Sequence, residues 1–172
     1  MAPYSQHAFM HLTLEQHISP LDPDVSNLDL SPIKETLTRS NGDHRWTSAQ
    51  AETAELWYRR FLHLKKKYPS VRLVPRKFID QFWHTHILDT RKYAADCEQL
   101  FGQFLHHYPY FGMNGPADAA RWNESVNHTE QLFESEFGKS SADVEFPAVV
   151  GDSNLRVSAY CSRDCSSPCS DG

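Results

Sequence analysis

The chain predicts an all-α fold, and three features of the sequence carry that expectation. Apolar residues recur at three- and four-residue steps in several stretches. Those stretches are bracketed by helix start and stop residues: Thr47 with Gln50, Asp89-Thr90 with Gly102, and Pro116 with Gly138. The connections between them are short, as in a compact helical domain. A length of 172 residues suits one domain with flanking segments. The expectation is a multi-helix domain of about five helices over residues 28–138. A loose N-terminal arm over 1–27 and a polar, cysteine-containing tail over 139–172, disordered without metal, flank it.

Taken in order, residues 1–27 show no clear period, and Pro20 and Pro23 are expected to break any helix there. Ser31-Pro32 reads as a hydroxyl cap followed by proline at the first helical position, giving a short helix over 32–39 that stops before the Asn41-Gly42 turn. Thr47 and Gln50 have capping-box spacing and open the clearest helix. Ala54, Trp57, Phe61, Leu64 and Tyr68 form its apolar stripe, with Arg59, Arg60, Lys65 and Lys66 largely off it. Lys65-Lys66-Lys67 falls where a helix C-terminus favours positive charge, and Tyr68-Pro69-Ser70 ends the element. Residues 71–74 are too short a run to assign as a strand. Pro75 starts the next helix, with Phe78, Ile79, Phe82, Trp83, His86 and Ile87 on one broad side. Asp89-Thr90 caps a helix over 91–101 that ends near Gly102, and Pro109 limits any continuation. After the turn at 111–115, Pro116 begins a last helix with Ala119, Trp122, Val126, Thr129 and Phe133 on its face, closed by Gly138.

Composition narrows the function classes. A net charge of −5 leaves no basic footprint for nucleic acid. The N-terminus lacks the basic and apolar regions of a signal peptide, and no apolar run approaches a membrane span, so neither membrane nor export is expected and the cytoplasm is the expected location. Phosphate-cradling glycine loops and a nucleophile elbow are absent from the sequence. A protein partner or small-molecule substrate is left open.

The chemistry concentrates in residues 78–112, which gather Asp80, four histidines, Cys97 and Tyr93 among aromatic residues. Neutral imidazoles in aromatic surroundings need partners for a donor and an acceptor each, and a metal ion satisfies the acceptor. Asp80 and His84 are four residues apart and share a helical face. His84 and His86 are separated by roughly 200° around a continuous helix, so one ion cannot engage both unless the helix breaks. His86 lies in the apolar arc, and one of His106 and His107 is the inward-facing member of its pair. Asp80, His84 and that histidine make a two-His-one-carboxylate set, compatible with Zn, Mn or non-haem Fe. Asp80–His84 also fits a plain helical ion pair, His86 a buried ring bonded to a carbonyl, and His106-His107 a partly exposed loop. Trp83, Phe101 and Phe104 read as core, Tyr93 and Tyr110 as possible donors around the site, and Cys97 as a small core residue or, with a histidine, a nucleophile. Cys161, Cys165 and Cys169 recur at four-residue steps in the tail, a candidate second site for a soft metal.

Residues 28–138 resemble the glycine-rich domain-containing protein-like family in its bacterial members. The pattern is an acid, then Trp-His-x-His, a tyrosine, an aspartate, a Phe/Leu-Gly and a histidine. It falls on Asp80, Trp83, His84, His86, Tyr93, Asp96, Gly102 and His107. The resemblance implies a small, predominantly helical domain and favours His107 over His106, but supplies no reaction, and this chain has no extended glycine-rich region. Together these readings give a helical metal-binding protein with Zn or Fe on Asp80, His84 and His107, and His86 as a fourth ligand or a support. A metalloenzyme using the same residues, hydrolytic or oxidative, and a non-catalytic interaction module with structural core histidines are the rival classes.

Overall fold

The computed structural model describes residues 18–39 and 46–146. Its helices are α1 (Pro23–Ser26), α2 (Ser31–Thr38), α3 (Ser48–Lys67), α4 (Lys77–Leu88), α5 (Thr90–Phe101) and α6 (Pro116–Phe137), followed by a 3-10 turn at Ser141–Asp143. Among the described residues there is no strand, and the fold is all-α.

α3 is the axis on which the others pack: α4, α2, α1 and α6 all lie against it, and α5 lies against α4 and α1. The expected capping box is formed, with Thr47 Oγ1 accepting from Gln50 N–H at 3.2 Å and Gln50 Oε1 accepting from Thr47 N–H at 2.8 Å. Such a cap stabilises a helix by about 1 kcal/mol. The buried surface of α3 is wider than a single stripe. Tyr58 and Phe61 meet Phe82 and Trp83 of α4 at ring separations of 5.1 and 5.2 Å. On another side Trp57 meets Phe133 of α6 at 5.1 Å. A helix with neighbours on several sides buries most of its circumference, which is why Tyr58, Leu62 and His63 join the core beside the expected residues.

The packed structure extends past 28–138 at both ends. Pro23 does not break a helix; it occupies the first turn of α1, where its missing N–H costs nothing, and Asp22 Oδ1 caps that turn. Val25 is fully buried. Arg59, expected off the packed stripe, donates to the carbonyls of Val25, Ser26 and Leu28 at 2.6, 3.2 and 2.8 Å and so closes the C-terminal end of α1. Lys66 reaches Asp22 and Asp24 at 2.9 and 2.7 Å, and Lys67 reaches Glu136 at 2.6 Å, so two of the three lysines tie neighbouring elements together. Burial pushes the Glu136 carboxyl up, but hydrogen bonds from Lys67, Tyr68 and Ser19 outweigh it and hold the group at about 2. At the other end, Glu130 accepts from Ser140 and Ser141 at 2.6 and 2.7 Å, and Phe146 stacks on Phe78 at 4.7 Å. The first residues of the expected tail are therefore folded onto the domain. Residues 1–17 and 147–172, with the rest of the arm and tail, lie outside the described residues, as does the Asn41-Gly42 turn.

Several helix features differ from expectation, and α4 begins at Lys77, with Arg76 at its cap position, rather than at Pro75. Ser31 and Pro32 are the first two helical residues of α2 rather than its cap, and Leu30 stands at the cap position without a side-chain bond. α6 buries Thr129 and Phe133 as expected, whereas Ala119, Trp122 and Val126 are only half-buried. Its N-terminal half is instead pinned by the preceding turn. Asp118 accepts from Gly112 N–H at 2.7 Å, and a Cβ on Gly112, at φ +93°, would lie 2.9 Å from the Trp122 side chain.

Candidate metal centre

Both histidines of the Trp-His-x-His run sit on α4, which is unbroken from Lys77 to Leu88. Helical rotation therefore turns them to opposite sides.

On the outer side, Asp80 and His84 lie one turn apart and His107 closes on them from the loop after α5. His84 Nε2 is 3.1 Å from His107 Nε2, His107 Nε2 is 3.1 Å from Asp80 Oδ1, and His84 Nε2 is 3.6 Å from Asp80 Oδ2. These three residues form the group whose ligand atoms could hold a metal ion. Hydrogen bonding alone serves the arrangement poorly. His107 Nε2 has one in-plane site, which is either a proton or a lone pair, yet it faces a carboxylate oxygen and another ring nitrogen at the same distance. A cation would satisfy all three lone pairs at once. Tetrahedral ligands about 2.0–2.1 Å from zinc are separated from one another by about 3.3 Å, close to the spacings here. The side chains of His84, Asp80 and His107 keep 40, 24 and 19% of their surface exposed, so the cluster reaches solvent.

His107 is the only one of the three outside a helix, and its placement has identifiable causes. Gly102 takes the left-handed conformation, φ 65°, that ends α5 and turns the chain back. Tyr93 then donates its hydroxyl to the Leu105 carbonyl at 2.5 Å, two residues before His107. Trp83 Nε1 donates to the Tyr93 oxygen at 2.9 Å, and the Trp83 ring meets the His107 ring edge-on at 4.7 Å. Tyr93 is thus the donor expected near the site, acting on the loop backbone. His106 points elsewhere and packs on Phe104 at 4.9 Å.

On the inner side, His86 is 1% exposed and fully partnered. Its Nε2 lies 2.8 Å from Asp96 Oδ2 and its Nδ1 lies 2.9 Å from the Tyr58 hydroxyl. A carboxylate can only accept, so Nε2 carries the proton and Nδ1 accepts from Tyr58. Lys92 closes the network on Asp96 at 2.9 Å. Burial lowers the His86 pKa, and the Asp96 carboxylate opposes that only in part, so the ring is held neutral. No lone pair is left for an ion. His86 was expected as a fourth ligand or a support; its nitrogens face Asp96 and Tyr58 rather than the outer cluster, and it joins α3, α4 and α5 through the core. Tyr58 was missed as its partner because the sequence places the two 28 residues apart; its position four residues after Ala54 and three before Phe61 was the available signal.

Other expected site residues separate cleanly. Trp83 is core, but Phe101 is only half-buried and Phe104 is 45% exposed, because the chain leaves α5 at Gly102 before Phe104 can turn inward. Tyr110 is exposed and packs on Tyr108. Cys97 is buried, and burial pushes its thiol pKa up, which suits an unreactive core thiol. Cys161, Cys165 and Cys169 lie outside the described residues. No helix is long and apolar enough to cross a membrane among the described residues.

No curated protein and no solved structure matches this chain. A family model described as UCP032817-like matches residues 30–132, more than half of the chain and a span that contains both histidine networks; the chain belongs to the UCP032817-like family.

Proposed function

We propose that this protein binds a divalent metal ion, zinc or iron, through Asp80, His84 and His107. The observation that carries the reading is the spacing of the three ligand atoms, 3.1, 3.1 and 3.6 Å, near the edge length of a metal coordination polyhedron. A two-His-one-carboxylate set suits zinc or non-haem Fe(II). The likeness to the glycine-rich domain-containing protein-like family belongs to the same proposal, because three of its pattern residues are the ones that converge. Elemental analysis of protein purified without an affinity tag tests it. The expected result is zinc or iron approaching one ion per chain, lost in His84→Ala. Unchanged metal content in that variant would remove His84 from the ligand set, and metal-free protein that takes up neither ion on reconstitution would end the proposal.

A metalloenzyme is the second reading, favoured by the partial exposure of the cluster. Three protein ligands leave coordination positions for water or substrate, as catalytic sites require. Hydrolysis on zinc and oxidation on iron are the two chemistries such a site supports. Cobalt-substituted protein should change its visible spectrum on addition of azide if a position is open; an unchanged spectrum would favour a purely structural ion.

A further inference from the structure

Ahead of α1, residues 18–22 form a strap that joins the C-terminal halves of α3 and α6. Ser19 N–H donates to the Glu136 carbonyl of α6 at 2.7 Å, and Leu21 packs on the core. Asp22 N–H donates to Nδ1 of His63 on α3 at 3.0 Å. His63 is only 8% exposed. Because its Nδ1 accepts, the neutral ring carries its proton on Nε2, and that buried nitrogen has no hydrogen-bond partner among the described residues. The Phe137 ring stands edge-on to it at 5.5 Å and supplies no ordinary acceptor. The closed strap therefore encloses a donor that water would satisfy if the strap opened.

We propose that His63 is an acid-sensitive latch: the neutral ring holds residues 18–22 down, and a proton taken from solvent at Nδ1 releases them while α1 stays in place. A protonated ring has two donors and no acceptor, so Nδ1–H faces the Asp22 N–H and the bond between ring and strap is lost. The charges around the ring do not rescue it. The Asp22 and Glu136 carboxylates favour the cation, but Lys66 already holds Asp22 and Asp24, and Lys67 and Tyr68 hold Glu136. Lys66 and Lys67 oppose it from α3, where Arg60 also lies over the Phe137 ring at 5.0 Å. Burial first and then Lys67 lower the His63 pKa, so the closed strap selects the neutral ring and the open strap the charged one. Closure is thus fully present above the ordinary value near 6.5 and drains away as the pH falls below it. Asp22 and Glu136 are both held below the usual carboxylate range and stay charged there. α1 has anchors that do not titrate, the buried Val25 and the Arg59 bonds to the carbonyls of Val25, Ser26 and Leu28, so the hinge falls at Asp22.

Deuterium exchange of the full chain tests the proposal, read by mass spectrometry at about pH 7.5 and 5.5 and corrected for the intrinsic pH dependence of exchange. Protection of peptides covering residues 18–22 should fall by about 10-fold, the gain of an open state whose ring takes up a proton near pH 6.5. Peptides from α3 and α6 should keep their protection. His63→Gln offers an amide oxygen that accepts from Asp22 N–H and does not titrate, so its strap should be equally protected at both pH values. Equal protection of the wild type at both values would overturn the proposal, as would a parallel loss in α3, which is global unfolding. A fall that persists in His63→Gln would also overturn it and assign the response to His7, His11 or His17 upstream. Nuclear magnetic resonance of the wild type gives a reading that needs no variant: the His63 ring should titrate along the same curve as the loss of protection. A ring still neutral at pH 5.5 with the strap open would refute the latch.

Discussion

His84 and His86 stand two residues apart on one helix, and they have become different kinds of residue. His84 belongs to a cluster of three groups whose ligand atoms lie within 3.6 Å of one another, keeps 40% of its side-chain surface exposed, and is completed by a residue from a loop. His86 has one partner for each nitrogen, both on helices, and is almost fully enclosed. Imidazole chemistry is the same in both; the surroundings differ. A buried polar group stabilises only when every donor and acceptor is matched, and the inner network meets that condition. The outer cluster instead brings three ligand atoms to within 3.1–3.6 Å of one another, a spacing that a cation would suit. Two residues of helical rotation are enough to send one histidine into an enclosed core network and the other into a cluster whose ligand atoms could hold a metal ion.

The strongest way to break this comparison is His86→Ala. It leaves the Tyr58 hydroxyl and the Asp96 carboxylate without their ring partners and opens a cavity between three helices. The expected loss of stability is about 2–4 kcal/mol, read from chemical denaturation. Metal content at a temperature where the variant is folded should stay that of the wild type. A folded His86→Ala protein that lost its metal would show that the two sides of α4 are not separate.

How much of this could be read from the sequence follows the same division between local and distant contacts. Helix punctuation was legible at several ends where one turn contains its own cause: the Thr47–Gln50 box, the Asp89 cap and the left-handed glycines at 102 and 138 formed, whereas Ser31 became the first helical residue rather than the cap and α4 began after Pro75. Asp80 and His84 were legible as a pair because four-residue spacing alone brings them together, and a continuous helix was enough to separate His86. What escaped depends on contacts across the chain. Asp22 and Arg59 turn an apparent proline-broken arm into a capped helical turn, and nothing local to residues 18–27 announces Arg59. Phe104 looked like core because it is aromatic, yet the backbone turn at Gly102 decides its direction. The choice of His107 over His106 came from the resemblance, and its physical reason, the Tyr93 hold on Leu105, lies in tertiary structure.

That hold gives a sharper and smaller test. Tyr93→Phe preserves the ring but takes a donor from the Leu105 carbonyl and an acceptor from Trp83 Nε1. Its expected cost in stability is about 1–2 kcal/mol, less than that of His86→Ala. Unlike His86→Ala, it should also weaken metal binding, by on the order of 10-fold, because the loop that carries His107 loosens while His84 and Asp80 remain in place on α4. Competition titration against a chromophoric chelator measures this. An unchanged affinity would mean that Trp83 and the loop hold His107 without the tyrosine.

The smallest expected effect is one of pH, and it belongs to the inner network. Burial lowers the His86 pKa below its ordinary value near 6.5 despite the Asp96 carboxylate. The unfolded chain therefore takes up a proton at this residue at a higher pH than the folded protein does. Under that condition stability rises with pH, so the contribution is fully present above the unfolded value and drains away as the solution is acidified below it. His63 is shifted in the same direction, by burial first and then by Lys67, while its Nδ1 accepts from Asp22 N–H at 3.0 Å, so it adds to the same trend. Denaturation midpoints between about pH 7.5 and 5.5 should accordingly fall more steeply in the wild type than in His86→Ala, with His63→Ala removing a separate part of the slope. Equal slopes in the wild type and in His86→Ala would mean that the inner histidine has the same proton affinity folded and unfolded, and the enclosed, neutral ring that sets it apart from His84 would have to be abandoned.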